Sequence, residues 1–502
     1  MIGSRKIRIV EPQGRPERPL NSWIRCWPLM GPMTLATMLD ERGYDAAVVN
    51  ENISGPAEEN DRLYAELCSA DIVGISIMTP TARRGYALAD RLRRDAPDVR
   101  IVFGGVHATF RAEEALQHGD IVVCGEGETV IERIARGEIT SGIVKAEPVA
   151  DLDALPTPNH FLIRDFDVLL SAFRKRALYP LPVMTSRGCP HGCTYCCVTR
   201  LFGRRIRAQS AERVDKALKT YADQGFRRVF FYDDNFTADL KRTRKLLEMM
   251  RPLRMTFNAQ VRADFHRTGS SQGKPDRELL KSMRRAGGDM LYIGYETVDD
   301  ETARGWHKGY RDGGSLSERL RDDTAALHDH GFWIHGMFVL GPHHTRKTAN
   351  GIVDFALKCG VETIQISALT PFPGTPLMEQ MRPHLVFDNF PDDWDYYDGT
   401  HVLYDNTVAG FSELQWALYD AHKRFYRFGG WSGRALRSIG ARPATAVDKV
   451  AEIVAGAKTA WNMLRRWRGE IDQFLALAAE KGACERADAE SPAGRMSYST
   501  QR

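Results

Sequence analysis

Apolar residues in the first 140 positions follow two patterns in turn. Short continuous apolar runs predict strands buried on both faces, as in a parallel sheet. Between these runs, apolar residues at helical spacing predict helices. The repeated order of strand and helix predicts a doubly wound parallel sheet. The predicted strands are residues 7–10, 45–49, 71–77, 100–103 and 121–123, and the predicted helices are residues 30–42, 62–68 and 86–94.

Ligands of such Rossmann-like sheets bind outside the carboxyl ends of the strands. Three stretches of small and polar residues stand at those ends here, at 76–79, 104–109 and 124–128. They supply the candidate ligand-binding residues of the N-terminal unit. These are Ser76, Thr79, Gly104, Gly105, Val106, His107, Gly125, Glu126 and Gly127.

A second strand–helix series begins at Leu181 and ends near residue 369. It has six predicted strands, each followed by a helix or helical turn, which predicts an open partial barrel with fewer than the eight strands of a full TIM barrel. The first strand is expected at 183–186. Pro156 and Pro158 mark the connector between the two series as irregular.

The region after residue 385 has a different pattern. An acidic aromatic patch at 392–398 is interpreted as either a substrate entrance or a simple loop. Basic helical sequence with Trp431, Trp461 and Trp467 follows, and the last twenty residues are expected to fray. The expected divisions are therefore 1–140, the connector 141–180, the barrel 181–384 and a mostly helical region 385–502. Trp416, Tyr419, His422, Phe425 and Tyr426 recur at helical spacing, which is typical of core.

Composition excludes several classes of protein but does not indicate a function. The formal charge of +4 is too small to indicate a nucleic-acid partner, and no nucleic-acid motif is present. No apolar stretch approaches the roughly 18 residues that span a bilayer, and the first residues lack the apolar core of a secretory signal. Nine cysteines are too few for a disulfide scaffold, so a reducing cytoplasm is expected.

Four of the cysteines lie within nine positions. Cys189, Cys193 and Cys196 are spaced so that one loop can wrap an iron–sulfur cube and leave its fourth iron open. The alternatives are a zinc loop completed by His191 or Cys197, or chance clustering.

This motif, at the end of a first barrel strand, resembles that of the radical S-adenosylmethionine (SAM) enzymes. The resemblance implies a [4Fe-4S] cluster whose open iron binds SAM and cleaves it to a 5′-deoxyadenosyl radical. It continues at the ends of later strands, where family members contact SAM. The matching positions are Tyr195 within the cysteine motif itself and, at the later strand ends, Asp233, Asp234, Asn235, Arg262, Glu296, Gly341 and Pro371. Asp233 and Asp234 have the alternative role of capping the following segment.

The N-terminal unit resembles the cobalamin-binding domain that precedes many radical SAM modules. The strand-end glycines would let a flat corrin ring lie across the sheet edge. The cobalt-ligating Asp-x-His-x-x-Gly loop of many cobalamin proteins is missing, and His107 follows Gly-Gly-Val instead. No histidine from that motif is therefore expected on cobalt. The alternative is a flavodoxin-like relic without a ligand.

Together the resemblances imply a cobalamin-dependent radical SAM methyltransferase acting on a small-molecule or lipid-like substrate. An electron donor of flavodoxin or ferredoxin type is the expected partner. The alternatives are an oxidative cyclase of tetrapyrrole type and a non-catalytic cobalamin or iron–sulfur sensor. The basic stretch 423–468 indicates either peripheral contact with anionic lipid or a solvated face.

Overall fold

The computed structural model describes residues 5–15, 18, 27–173, 176–267, 273–309, 314–406, 408–427 and 446–484. Trp431 lies outside these ranges, as do residues 485–502 of the last twenty, whose fraying the sequence predicts. Within them, no helix combines the length and the apolar character needed to cross a bilayer.

Six parallel strands form the N-terminal sheet, in the order β2-β1-β3-β4-β5-β6. The doubly wound sheet and its five predicted strands are confirmed. The strands are β1 (Lys6–Glu11), β2 (Asp45–Asn50), β3 (Ile72–Ser76), β4 (Arg100–Gly104), β5 (Ile121–Cys124) and β6 (Gly142–Lys145). The helices are α1 (Met30–Asp40), α2 (Glu51–Ser54), α3 (Asp61–Cys68), α4 (Ala82–Asp95), α5 (Val106–Phe110), α6 (Ala112–Leu116) and α7 (Ile131–Arg136).

The sheet extends past residue 140, where the sequence predicts its end. β6 is a short edge strand in which half-buried and exposed positions alternate, and Ile143 is 39% exposed. It lacks the continuous apolar run that identifies the other strands, so the pattern did not reveal it. The predicted connector also holds one regular helix, α8 (Phe166–Ala172).

The partial barrel is a second sheet of six parallel strands, in the order β14-β13-β12-β11-β10-β7. This confirms the predicted six-stranded series. Its strands are β7 (Pro180–Val183), β10 (Arg228–Phe231), β11 (Thr256–Val261), β12 (Gly288–Glu296), β13 (Trp333–Leu340) and β14 (Thr363–Ala368). Its helices are α9 (Val198–Leu201), α10 (Ala211–Asp223), α11 (Leu240–Met250), α12 (Arg277–Arg285), α13 (Asp300–Gly305), α14 (Leu316–Asp329), α15 (Arg346–Lys358) and α16 (Pro376–Met381).

The first barrel strand begins three residues before the predicted position. Pro180 and Pro182 concealed it, since proline is depleted in strands, but β7 lies at the sheet edge, where a missing N–H is tolerated. The two residues after it that were expected to continue the strand turn away. Two short strands, β8 (Ser186–Arg187) and β9 (Arg207–Ala208), pair antiparallel and close the loop that carries the cysteines.

The C-terminal region contributes two long helices, α17 (Phe411–Phe425) and α18 (Ala446–Glu480). α17 packs against α15, β14 and α18, and its aromatic residues form core as expected. His422 accepts a hydrogen bond from the Ile366 amide at 3.1 Å, and the Tyr426 hydroxyl bonds the backbone of Ile364. These contacts attach the helical region to the edge strand of the barrel.

The acidic aromatic patch 392–398 is neither a substrate entrance nor a simple loop. Trp394 is fully buried, and its indole N–H donates to Glu114 of the N-terminal unit at 2.9 Å. The Asp395 carboxylate accepts from Arg15 at 2.8 Å and from Arg83 at 2.9 Å. The patch therefore attaches the C-terminal region to the N-terminal sheet.

Candidate functional site

A cavity of about 480 Å³ lies where the carboxyl ends of the two sheets face each other. Its walls are mostly apolar, from Ile7 and Ile9 in the first sheet to Met184 and Leu201 in the barrel. The predicted corrin-binding stretches thus share one space with Asp234 and with Cys197, the residue after the third predicted cluster ligand, whereas Cys189, Cys193 and Cys196 themselves do not line it. The predicted residues that line it are Ser76, Gly104, Gly105, Val106, Gly125, Glu126, Gly127 and Asp234.

Glycines keep the N-terminal wall of this cavity flat. A Cβ built on Gly31 or Gly104 would meet no atom within 4 Å, so any side chain there would project into open space. Gly105 is required for a different reason. Its φ is +93°, and a Cβ would lie 2.7 Å from the Ile77 carbonyl oxygen. A wide, flat ligand such as a corrin fits the smooth edge that these residues leave.

His107 and Thr79 do not line the cavity, although the sequence places them among the candidate ligand residues. His107 is completely buried, and its two ring nitrogens lie 3.3 Å from Thr79 Oγ1 and 3.3 Å from Glu114 Oε1. Burial lowers the pKa of His107 despite the nearby carboxylate. A histidine in the first turn of α5 points toward the core, so these two residues support the loop from behind.

Glu126 faces the cavity but is part of an ion-pair cluster that joins the two sheets. Its Oε2 accepts from Arg187 at 2.6 Å and from Arg207 at 3.0 Å, and Arg207 also contacts Oε1. Arg187 bonds Glu128 Oε1 as well, at 2.5 Å. Two buried carboxylates from the loop after β5 therefore balance two guanidinium groups beside the cysteine loop. We call these four residues the Arg–Glu clamp.

The cysteine loop begins directly after the clamp. Gly188 has a φ of +92°, and a Cβ on it would lie 2.6 Å from the Arg205 carbonyl oxygen, so only glycine fits this position. Further along, the Thr194 amide donates to the Trp306 carbonyl at 3.2 Å, and the Leu377 amide donates to the Thr194 carbonyl at 3.2 Å. The middle of the loop is therefore fixed to the barrel through Thr194.

The three predicted cluster thiols are half-buried on this loop. Burial raises the pKa of Cys189 and raises that of Cys196 to about 12, so binding a cluster must displace their protons. Among the described residues, no three His, Cys, Asp or Glu side chains gather closely enough to hold a single metal ion. In a cube each thiolate binds a different iron, so three soft sulfur donors on one fixed loop fit a [4Fe-4S] cluster.

Cys197 differs in position from the three predicted ligands. It lines the cavity that the two sheets share, together with Val198 and Leu201 of α9. His191, the other candidate fourth ligand of a zinc site, is half-buried, and burial lowers its pKa to about 4. Neither gathers with the three cysteines around one metal position, so the zinc alternative receives no support.

The three polar residues after β10 have different surroundings. Both Asp233 oxygens are occupied, by the Thr185 amide and hydroxyl and by the Ser186 amide. Asp233 thus holds the backbone that precedes the cysteine loop. This role is neither the predicted contact with SAM nor the alternative of capping the segment that follows Asp233. Asn235 is buried and accepts from the Thr237 hydroxyl at 3.1 Å.

Asp234 is the member of this group that faces the cavity. Its Oδ2 accepts a hydrogen bond from the Gly188 amide at 3.3 Å. Burial, and then the charge of Asp233, raise the pKa of Asp234 to about 6. A desolvated carboxyl beside the cysteine loop can accept a hydrogen bond from a cationic amine.

Two more predicted SAM contacts stand at later strand ends. Arg262 is half-buried, with Nε 3.2 Å from Asp264 Oδ1, and it also contacts the Gly309 carbonyl. Glu296 has a φ of +62° and pairs with Lys308 at 2.9 Å. The pair occupies the space where a Cβ on Gly294 would lie, since that atom would be 2.5 Å from Glu296 Oε1.

Tyr195 and Gly341 meet the same buried indole. The Tyr195 ring lies edge-on to Trp306 at 5.9 Å, and a Cβ on Gly341 would lie 2.9 Å from Trp306 Cζ2. Gly341 therefore makes room for the tryptophan that anchors the cysteine loop. Pro371 is buried in the turn after β14.

Sequence reasoning missed several residues at this site. Arg187 lies two residues before the first cysteine of the motif. A charged residue directly before Gly188-Cys189 was a signal in the sequence that could have identified it. Tyr232 and Gln260 line the cavity from the ends of β10 and β11. Glu11, at the end of β1, is fully buried and accepts from the Leu29 amide and from Asn50, and burial raises its pKa to about 7.

Two family models match the two units in this order. The model of the B12 binding domain matches residues 25–135. The model of the Radical SAM superfamily matches residues 183–356. The matched segments contain the flat N-terminal wall of the cavity and the cysteine loop that faces it.

Curated relatives and solved structures agree with these models. The chain is 28% identical over 422 residues to bacteriochlorophyllide d C-12(1)-methyltransferase of Chlorobaculum tepidum, covering 82% of this chain and 85% of the relative. It is 24% identical to the anaerobic magnesium-protoporphyrin IX monomethyl ester cyclase of Cereibacter sphaeroides, covering 71% of this chain and 60% of that one.

A solved structure of the cobalamin-dependent SAM radical enzyme OxsB, with aqua-cobalamin and SAM bound, superposes with a TM-score of 0.65. It is 15% identical and covers 97% of this chain and 82% of that chain, which shows the shared fold. The two family models, their order and the methyltransferase relatives place the chain in one family. The chain belongs to the cobalamin-dependent radical SAM enzymes, and the cofactors of its two domains are cobalamin, SAM and a [4Fe-4S] cluster.

Proposed function

We propose that this chain transfers a methyl group to an unactivated carbon of a small apolar molecule. One observation carries the proposal: the candidate corrin wall lines the same cavity as Asp234 and as Cys197, which directly follows the candidate cluster ligands. A reaction that needs both cofactors requires such a shared space, because a reactive intermediate must travel between them without meeting water.

Specific residues would hold each cofactor. Cys189, Cys193 and Cys196 would hold the cluster, Asp234 would accept from the SAM amino group, and Arg262 would bind its carboxylate through a planar guanidinium. The cavity-lining residues of the three strand-end stretches, at 76–78, 104–106 and 125–128, would hold the corrin. When bound, the cluster with SAM supplies a carbon-centred radical that removes hydrogen from the substrate, and cobalamin supplies the methyl group.

The remaining work of the chain is to position groups and exclude water. The Arg–Glu clamp fixes the loop after β5 against the cysteine loop, so the two cofactor sites keep a constant separation. Apolar side chains such as Leu29, Met30 and Phe202 surround the space between them. A low-dielectric wall of this kind protects a radical from solvent and offers no proton donor.

The wall also supports the substrate class. Apolar lining favours a lipophilic or flat aromatic molecule over a charged one. The relatives include the bacteriochlorophyllide methyltransferase described above and a hopanoid C-2 methylase of Rhodopseudomonas palustris, whose names both refer to lipophilic molecules. We infer a small-molecule or lipid-like substrate for this chain.

We infer two further features of its setting. The eight described cysteines are free thiols, which suits a reducing compartment such as the cytoplasm. On α18, Trp461 is 66% exposed, and Lys458 and Arg465 lie one helical turn to either side of it. An exposed indole between cations suits peripheral contact with an anionic membrane that holds such a substrate. Cosedimentation with anionic vesicles, lost in Trp461→Ala, tests this contact.

Anaerobic product analysis tests the proposed reaction. The holoenzyme is incubated with reduced methyl viologen, SAM carrying a trideuterated methyl group, and bacteriochlorophyllide or a hopanoid. We expect 5′-deoxyadenosine, S-adenosylhomocysteine and a labelled methylated product. 5′-Deoxyadenosine with a dehydrogenated product and no S-adenosylhomocysteine would instead indicate cyclase chemistry. No turnover of SAM with any substrate or reductant would favour a sensor and contradict the proposal.

A further inference from the structure

The outer side of the cysteine loop reaches the protein surface. Pro190 and Gly192 are exposed, whereas Cys197 and Leu201 face the internal cavity. A cluster held by this loop therefore lies between the shared cavity and solvent. An electron can enter from the outer side without crossing the cavity.

That outer side is strongly basic. The 22 residues from Cys189 to Ser210 include no Asp or Glu. Arg200, Arg204 and Arg205 in this stretch are exposed, and in the described part of the chain no carboxylate forms an ion pair with them. We call these three residues the arginine patch.

The patch is in direct contact with the cysteine loop. Arg204 Nη2 donates to the Pro190 carbonyl at 3.2 Å, and the same nitrogen lies 3.5 Å from where a Gly192 Cβ would be. The Arg205 carbonyl packs against Gly188, the residue before the first cluster thiol. Unpaired cations thus surround the part of the loop that is nearest to the solvent.

We propose that the arginine patch is the docking surface for an acidic one-electron carrier protein that reduces the cluster. The inference rests on the proposed function, because only a redox-active cluster needs a donor. In the step, the carrier's reduced cofactor loses one electron and the oxidised cluster gains it, with no bond made or broken. Small basic patches attract acidic partners by steering the encounter, so they act on the association rate and respond strongly to salt.

A carrier protein fits this surface better than a lipid or a nucleic acid does. The patch has three cations and no exposed aromatic side chain that could insert into a membrane or stack on a base. Electron-transfer encounters are also the class of interface that functions with a small contact area. Exposed Pro190 directly follows Cys189, so a partner bound at the patch lies close to the cluster thiols. This proximity matters for a partner that transfers electrons.

The test compares two reductants by anaerobic stopped-flow at low salt. The probes are a reduced acidic flavodoxin and reduced methyl viologen, a small cation that needs no docking surface. The variant carries Arg200→Glu, Arg204→Glu and Arg205→Glu. A milder variant, Arg200→Gln with Arg205→Gln, keeps the Arg204 contact in case the first variant loses its cluster.

The control variant carries Arg94→Glu, Arg227→Glu and Arg285→Glu, which changes the net charge equally. These arginines are exposed and stand shortly before the starts of β4, β10 and β12, at the opposite edge of the sheets. Any effect of net charge alone appears in this variant too.

We expect the charge-reversed patch to slow reduction by flavodoxin at least tenfold at low salt and to invert its salt dependence, because salt screens the new repulsion, while reduction by viologen does not slow. The milder variant should show a smaller loss, and the control variant none. An unchanged flavodoxin rate would overturn the proposal, as would equal slowing in the control. The proposed function is judged separately by SAM cleavage with viologen, so the two can fail independently.

Discussion

Replacing Arg187 by methionine should destabilise the protein. It should also let radical formation proceed without methyl transfer. The side chains of Arg187 and Glu126 are only 4% and 3% exposed, and the clamp balances two carboxylates with two guanidinium groups. Removing Arg187 leaves Glu126 and Glu128 with Arg207 alone. Removing one partner of a buried charge pair costs about 3–5 kcal/mol.

That cost predicts a fall of roughly 6–20 °C in the apparent unfolding temperature, at about 2–4 °C per kcal/mol for domains of this size. Adding Glu128→Gln removes the excess negative charge, so the double variant should recover part of the loss. Arg321→Met is the control, because Arg321 pairs with Asp322 on the surface at 3.7 Å and should change stability by less than about 0.5 kcal/mol.

The same variants should separate radical formation from methyl transfer. The clamp joins the loop after β5 to the residue before Gly188, so loosening it changes the separation of the two cofactor sites. We expect a higher ratio of 5′-deoxyadenosine to S-adenosylhomocysteine in Arg187→Met, measured well below its unfolding temperature, with the cluster's absorbance retained. Equal stability loss in the single and double variants, or an unchanged product ratio, would refute the reasoning.

Two further predictions concern neighbouring thiols and pH. Cys196→Ala should lose the cluster, measured as iron and sulfide per chain, whereas Cys197→Ala should retain it, because Cys197 faces the cavity. Burial raises the pKa of Glu11 from 4.5 to about 7, so the folded state loses stability as pH rises through this range. Glu11→Gln has no carboxyl to ionise, so it should not lose stability in this way. Measured by chemical unfolding, the free energy of unfolding of the variant minus that of the unchanged protein should rise by about 2–3 kcal/mol between pH 5 and pH 8. A pH-independent difference would contradict this.

Much of the fold could be predicted from the sequence, because the signals are local. Continuous apolar runs identify β1 to β5, since strands buried on both faces leave no polar position. The spacing of Cys189, Cys193 and Cys196 identifies a cluster loop for a similar reason, as one loop must place three sulfurs. β6 and β7 were missed or displaced because edge strands tolerate exposure and proline.

The roles of individual polar side chains could not be predicted in the same way. His107 and Asp233 stand at strand ends beside true cavity residues, and only the structure shows that their polar atoms are satisfied elsewhere. Glu126 and Arg187 are 61 residues apart, and their pairing depends on how the two sheets face each other. Buried ion pairs between domains leave no periodic trace in a sequence.

The central claim is that the cavity between the two sheets holds cobalamin against the strand ends of the N-terminal sheet. Equilibrium binding of hydroxocobalamin to Gly104→Leu, followed by absorbance, tests it most directly. A leucine there would project into open cavity, so we expect at least a tenfold loss of affinity with an unchanged unfolding temperature. Gly351→Leu, at an exposed position of α15 with equally open surroundings, should bind normally. Cobalamin binding to Gly104→Leu with undiminished affinity would contradict the account.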